Sequence, residues 1–241
     1  MIYCFANYNI YYFCAMQDIA LIDTTIQICG ISFYQPVSAF TDFVITCMAC
    51  FFYCQLYFLS IQDKGIVNWK RFFLCICISS FLGGASHGFF QFHEGVGYKL
   101  VWLSMQFFGV AAVFFAQQAT LNTVLVNSSF KAYWNIIYFI QLLLFIPAIF
   151  IFQSFLVIVV NSIIGLVPII FIHFFDKNNL KDSRLIASGI IILFFSGLVN
   201  ALKVSIHPYF NHIDIAHVLV MFNLSVMYFG VKRKAISLRS S

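Results

Sequence analysis

Residues 210–234 read FNHIDIAHVLVMFNLSVMYFGVKRK. Between Asp214 and Lys232 there is no Asp, Glu, Lys or Arg, over close to the roughly 20 residues that an α-helix needs to cross a hydrocarbon layer. The stretch closes on Lys232-Arg233-Lys234, the kind of basic flank that stays on the cytoplasmic side. It opens on three titratable side chains, His212, Asp214 and His217, where lipid makes such groups costly and their presence usually functional.

The same reading extends over the whole chain. Apolar stretches cover 38–60, 70–92, 98–122, 132–152, 154–175, 184–204 and 210–231. Between them lie turn-forming residues: 62–65, Glu94 to Gly97, Asn127-Ser128-Ser129, 176–179 and His207-Pro208. The break at Gln153 is marked only weakly, but one span cannot cover residues 132–175. The chain is 62% hydrophobic and 9% charged, which leaves too little polar surface for a soluble domain. Its 32 Phe suit lipid-facing bulk. The expected fold is all-α, a polytopic bundle of seven transmembrane helices.

Lys and Arg placement gives the orientation. Assigning loops alternately to two sides puts Lys64, Lys70, Arg71, Lys131, Lys177, Lys181, Arg184, Lys232, Arg233, Lys234 and Arg239 together and leaves only Lys99 and Lys203 opposite. By the positive-inside bias the N-terminus is outside and the C-terminus cytoplasmic. Reporter fusions near residue 178 and at the C-terminus are both expected to report cytoplasm, and opposite results would refute the assignment. The net charge of +5 then reflects loops meeting anionic lipid, so the bilayer is the expected partner and nucleic acid is not.

Residues 1–37 are read as an external or interfacial lead-in, 38–232 as the seven-helix domain and 233–241 as a basic cytoplasmic tail. The lead-in holds Asp18 and Asp23 but no Lys or Arg, unlike a signal peptide. An eighth span there, or a start at Met16, is the alternative. All eight Cys lie in the first third of the chain. Cys47, Cys50 and Cys54 follow helical spacing, as small apolar residues of a span.

Alternating spans bring Asp42, His87, His212, Asp214 and His217 to one side, within about 10 Å of the outer interface at the helical rise per residue. Asn200 and Gln106 fall near the same layer, Gln117 and Gln118 toward the other end. His87 sits in Gly83-Gly84-Ala85-Ser86-His87-Gly88, where the Gly84/Gly88 pair allows another helix to approach. Asp214 and His217 are three apart and share a helix face, so the carboxylate can orient the imidazole or ligate the same ion. His212 lies about 140° round from His217 on an ideal helix, so one of the two would ligate while the other lines the mouth. A plain packing motif around His87 and a headgroup-solvated His cluster are the structural alternatives.

These residues carry a resemblance. The chain resembles the seven-span superfamily of alkaline ceramidases, progestin–adiponectin receptors and related membrane hydrolases, where a helix 2 His and two helix 7 His bind zinc. His87 matches the former by position, and His217 matches the second of the latter. The chain is more specifically similar to an uncharacterised bacterial branch in which Thr-Asp opens the first span and Asn-His-x-Asp-x-x-His-Val the last, as do Thr41-Asp42 and Asn211 to Val218. It departs from the superfamily at Ile213, where a His would stand, at Gly83 in place of a Ser, and in a third span without Asp or Glu.

The resemblance implies a zinc-dependent intramembrane hydrolase in a bacterial inner (plasma) membrane; the acyl-amide substrate of ceramidases does not carry over, but an apolar bundle opening near the leaflet would admit a lipid-like amide or ester. His87 and His217 would be metal ligands with His212 or Asp214 the third, and Asp42 or Asp214 the general base. The alternative is a non-enzymatic receptor-like or ligand-binding bundle whose polar cluster is structural. There is no Gly-x-Ser-x-Gly elbow, His-Glu-x-x-His pair or P-loop. Repeated halves with broken helices, expected of a transporter, are not seen either.

Overall fold

The computed structural model describes residues 25–28, 31–90, 95–126, 128–176, 180–207 and 210–240. The first 24 residues of the lead-in, Glu94, Asn127, residues 177–179 and Pro208 lie outside the described residues. Seven helices follow a short hairpin: α1 (Pro36–Phe58), α2 (Lys64–Ala85), α3 (Val96–Thr123), α4 (Lys131–Phe152), α5 (Leu156–Phe174), α6 (Leu180–Ala201) and α7 (His212–Ser240). All seven are long and apolar enough to cross a membrane. Several helix ends carry a local start or stop signal.

Pro36 begins α1, where its missing N–H costs nothing and its fixed φ suits the first turn. Asp63 caps α2, its carboxylate accepting from the Gly65 and Ile66 N–H groups at 2.9 and 3.0 Å. The weakly marked break is real. Gln153 takes a left-handed conformation, φ 49°, which ends α4, and Ser154 and Phe155 turn the chain into α5. Pro147 and Pro168 sit inside α4 and α5, as membrane helices tolerate. The last helix does not end at residue 232. It continues to Ser240, because Lys234 is buried beside Asp176 at 3.8 Å, and Asp176 also accepts from Ser183 Oγ at 2.5 Å.

Consecutive helices pack side by side, α3 also meets α5, and α7 closes back onto α1. The core draws on α1, α2, α3, α5, α6 and α7. Phe52 stacks on Tyr228 with ring centroids 4.2 Å apart, and Phe73 meets Phe52 edge-on; Trp69, Leu56, Ile66 and Leu224 fill the space around them. Much of α4 faces outward, with Tyr133, Ile136, Leu143 and Leu144 exposed, as expected of a lipid-facing helix.

Two features had no sequence expectation. Strands β1 (Ile26–Ile28) and β2 (Ile31–Phe33) pair as an antiparallel hairpin just before α1. At the end of α2 the helix widens into one π turn, Ser86–Phe90. The two meet: Tyr34 and Gln35 N–H groups donate to the Gly88 and His87 carbonyls, each at 3.2 Å. The hairpin's exit is thereby fixed to the turn that carries His87.

Candidate metal centre

Three elements deliver the site. Asp42 lies in the second turn of α1, His87 in the π turn after α2, and His217 in the second turn of α7. A wide turn is a common device at functional positions. Asp42 is 6% exposed, and each of the three residues offers one ligand atom within 4.8 Å of the other two. His217 Nε2 stands 3.6 Å from Asp42 Oδ1, and His87 Nε2 stands 4.0 Å from Asp42 Oδ2. The imidazole centroids are 6.1 Å apart.

Close packing of α1 on α2 makes this approach possible. A Cβ on Gly83 would lie 2.9 Å from Asp42 Oδ2, and one on Gly84 would lie 3.1 Å from both the Ala39 carbonyl and the Phe43 ring. Only hydrogen at these positions lets the carboxylate reach between the helices.

The far nitrogen of each imidazole is held by α1 or its approach. His87 Nδ1 hydrogen-bonds Gln35 Oε1. An amide oxygen only accepts, so Nδ1 carries the hydrogen and Nε2 presents a lone pair. His217 Nδ1 is 2.8 Å from Thr41 Oγ1. The Thr41 hydroxyl is also within 3.0 Å of the Val37 and Ser38 carbonyls; with its single hydrogen on one of them it accepts from Nδ1–H, the tautomer in which Nε2 presents a lone pair. In that tautomer the groups that face one another are two imidazole lone pairs and a carboxylate. Such atoms repel one another unless a cation lies among them.

The donor set fits a small divalent ion. Two imidazole nitrogens and a carboxylate oxygen suit Zn²⁺, and ligands about 2.1 Å from a tetrahedral ion are about 3.4 Å apart. The three ligand atoms lie within 4.8 Å of one another, so closing on one tetrahedral ion would draw the widest pair in by up to about 1.4 Å. Partners on the far nitrogens are what metal-binding histidines usually have.

The other sequence candidates fall outside this triad. Asp214 is buried and engaged as a cap. Its Oδ2 accepts from the Asn211 N–H at 2.8 Å, while Asn211 Oδ1 accepts from the Ile213 N–H at 2.8 Å, a reciprocal box at the start of α7. Its Oδ1 accepts from Ser38 Oγ at 2.6 Å, which ties α7 to α1. His212 is half-buried at the helix entry, its N–H donating to Ser205 Oγ at 3.2 Å. His207 is exposed in the turn before α7. Gln106 lies against Trp102 and Ser154, at the α4–α5 turn. Sequence reasoning missed Gln35 and Ser38. Both lie at the mouth of the first span beside Thr41-Asp42, and Gln35 sits in what was read as the lead-in. The Asn211-x-x-Asp214 spacing is a capping signature that could have assigned Asp214 from sequence.

A family model described as a family of unknown function (DUF6962) matches residues 37–236, a span that holds α2 to α6, nearly all of α1, most of α7 and the whole triad but begins just after Gln35. No curated protein and no solved structure matches, and nothing in these comparisons connects the chain to the ceramidase superfamily.

Proposed function

The chain belongs to that family of unknown function, and from its site we propose that it is an integral membrane metalloenzyme, a hydrolase of a lipid-like amide or ester. The observation that carries the proposal is the convergence of Asp42, His87 and His217 with both imidazoles oriented from behind. With the orientation read from the basic residues, the centre lies in the outer half of the bundle, a depth suited to the linkage region of a lipid. The seven-span frame with a His from helix 2 and a His from helix 7 also supports likeness to the ceramidase-type hydrolases.

Asp42, His87 and His217 would hold the ion, Zn²⁺ by the nature of the donors. The ion would supply an acidified water and polarise a carbonyl. Asp42 has two oxygens facing different histidines. One would ligate while the other takes the water's proton, since among the described residues the nearby Asp214 is committed to the α7 cap. Gln35 and Thr41 would keep both Nε2 atoms aimed inward.

One observation favours a second reading. The hydrogen bonds Gln35–His87, Thr41–His217 and Ser38–Asp214 already join the hairpin exit, α1 and α7, and a shared proton could satisfy the Asp42 cluster without metal. That would make the protein a non-enzymatic bundle. The test uses purified protein against a panel of lipid amides and esters. Hydrolysis abolished by a chelator and restored by Zn²⁺ is expected. Metal-free protein with no hydrolysis of any member would leave the hydrogen-bonded bundle as the account.

A further inference from the structure

The end of the bundle opposite the triad holds two adjoining cavities of about 510 and 390 Å³, which share Lys64 and Asn122 in their walls. Lys64, Arg71 and Lys131 contribute three positive charges to the walls, and no carboxylate lines either cavity. The neighbouring carboxylate, Asp63, is turned away to cap α2. No ion pair involves Lys64, Arg71 or Lys131 among the described residues. Arg71 has an amide at 3.4 Å, Asn68 Oδ1, and the Phe115 ring beneath it at 5.7 Å. It is exposed two turns into α2, about 10 Å along the helix from Lys64.

The same face of α2 changes character immediately beyond it. Lys64, Arg71, Leu74 and Phe81 follow one another at steps of seven, three and seven, which keeps them on one side of the helix. Leu74 and Phe81 are exposed apolar side chains, so hydrocarbon begins about one turn past Arg71. At that boundary the guanidinium reaches the headgroup layer, where lipid phosphates are the anions at hand. We propose that this groove binds the phosphate headgroup of an anionic phospholipid, with Arg71 and Lys64 on the phosphate, Lys131 flanking it, and the acyl chains along Leu74 and Phe81.

Arg71 presents a planar fork suited to a phosphate, and Lys64 a point charge. A free phosphate would have the same use for the cations but none for the apolar stripe. A lipid uses both.

The experiment measures thermal unfolding of the full chain in detergent micelles with added phosphatidylglycerol, phosphatidylcholine or inorganic phosphate. Phosphatidylglycerol should raise Tm by about 5 °C, the size of shift that saturating binding gives a chain of this length. The other two should leave it within about 1 °C, as the same arithmetic gives for ligands that barely bind. Arg71→Gln should weaken the lipid about tenfold, the scale of one charge-assisted contact, and Lys64→Gln/Lys131→Gln should do likewise. Both changes remove side chains with no ion-pair partner, and the Tm without lipid reports whether folding is intact. Lys203→Gln, at the other end, should respond as wild type. An equal shift with phosphatidylcholine, an equal shift with inorganic phosphate, or an undiminished shift in Arg71→Gln would each overturn the proposal.

Discussion

Protein purified with Asp42→Ala or His217→Ala will carry less than about a tenth of the metal bound by wild type, since losing a ligand outright costs at least the 10–100-fold typical of losing an outer partner. Asp42→Asn is the sharper substitution. It keeps the shape of the side chain and removes its charge. If an ion occupies the triad, the neutral amide is a poor replacement ligand and metal falls as in Asp42→Ala. If the cluster is only hydrogen-bonded, that amide donates toward the histidine Nε2 atoms, and the folded state is held as well as before or better. Thr41→Val and Gln35→Ala leave all three ligands in place but free one imidazole each to turn. They should weaken metal binding by about 10–100-fold without abolishing it. Elemental analysis and a competitive chelator titration read all five variants on one scale. Unchanged metal content in Asp42→Ala would remove Asp42 from the site.

Gly84→Leu should be strongly damaging although Gly84 is not a ligand. A Cβ there already stands 3.1 Å from the Ala39 carbonyl and the Phe43 ring and 3.2 Å from Asp42 Cβ, so a whole isobutyl group must push α1 off α2. Overpacking of this kind costs about 3 kcal/mol, or about 10 °C in Tm for a chain of this length. Because Asp42 moves with α1, metal content should fall along with stability. Gly197, on α6, is the control: a Cβ there meets nothing within 4 Å. Gly197→Leu should change Tm by no more than about 2 °C, as expected of a side chain added into open space. Equal losses from both substitutions would mean that the α1–α2 contact is not the special one.

The fold was legible because lipid imposes a length. Seven apolar stretches, each near the required span, leave few ways to arrange the chain, and the structure has a helix in every one. Convergence of Asp42, His87 and His217 was legible from alternation alone: successive antiparallel spans return the start of the first, the end of the second and the start of the last to one side. What separates ligands from neighbours was not legible in the same way. Asp214 and His217 share a helix face, yet the helix start captures Asp214 through the Asn211 box and Ser38. Hydropathy cannot see a cap. The π turn at His87 has no hydropathy signal either, since it changes which way the side chain points and not how apolar the stretch is. Gln35 was hidden because its role depends on a long-range contact with a residue 52 positions away. Lys234 was read as part of a basic cytoplasmic tail because it stands in a run of basic residues after the last apolar stretch. Its partner, Asp176, is brought to it only by the folded bundle.

The most direct measurement is X-ray absorption at the zinc edge on the purified full-length protein, taken beside His87→Ala. The account predicts a first shell of nitrogen and oxygen at about 2.0–2.2 Å, with outer scattering from two imidazoles, and loss of the bound zinc in His87→Ala. Absence of zinc and any other stoichiometric metal would contradict it. So would a sulfur shell at about 2.3 Å, which would move the metal to the cysteines of α1 and α2 and leave Asp42, His87 and His217 as a hydrogen-bonded cluster.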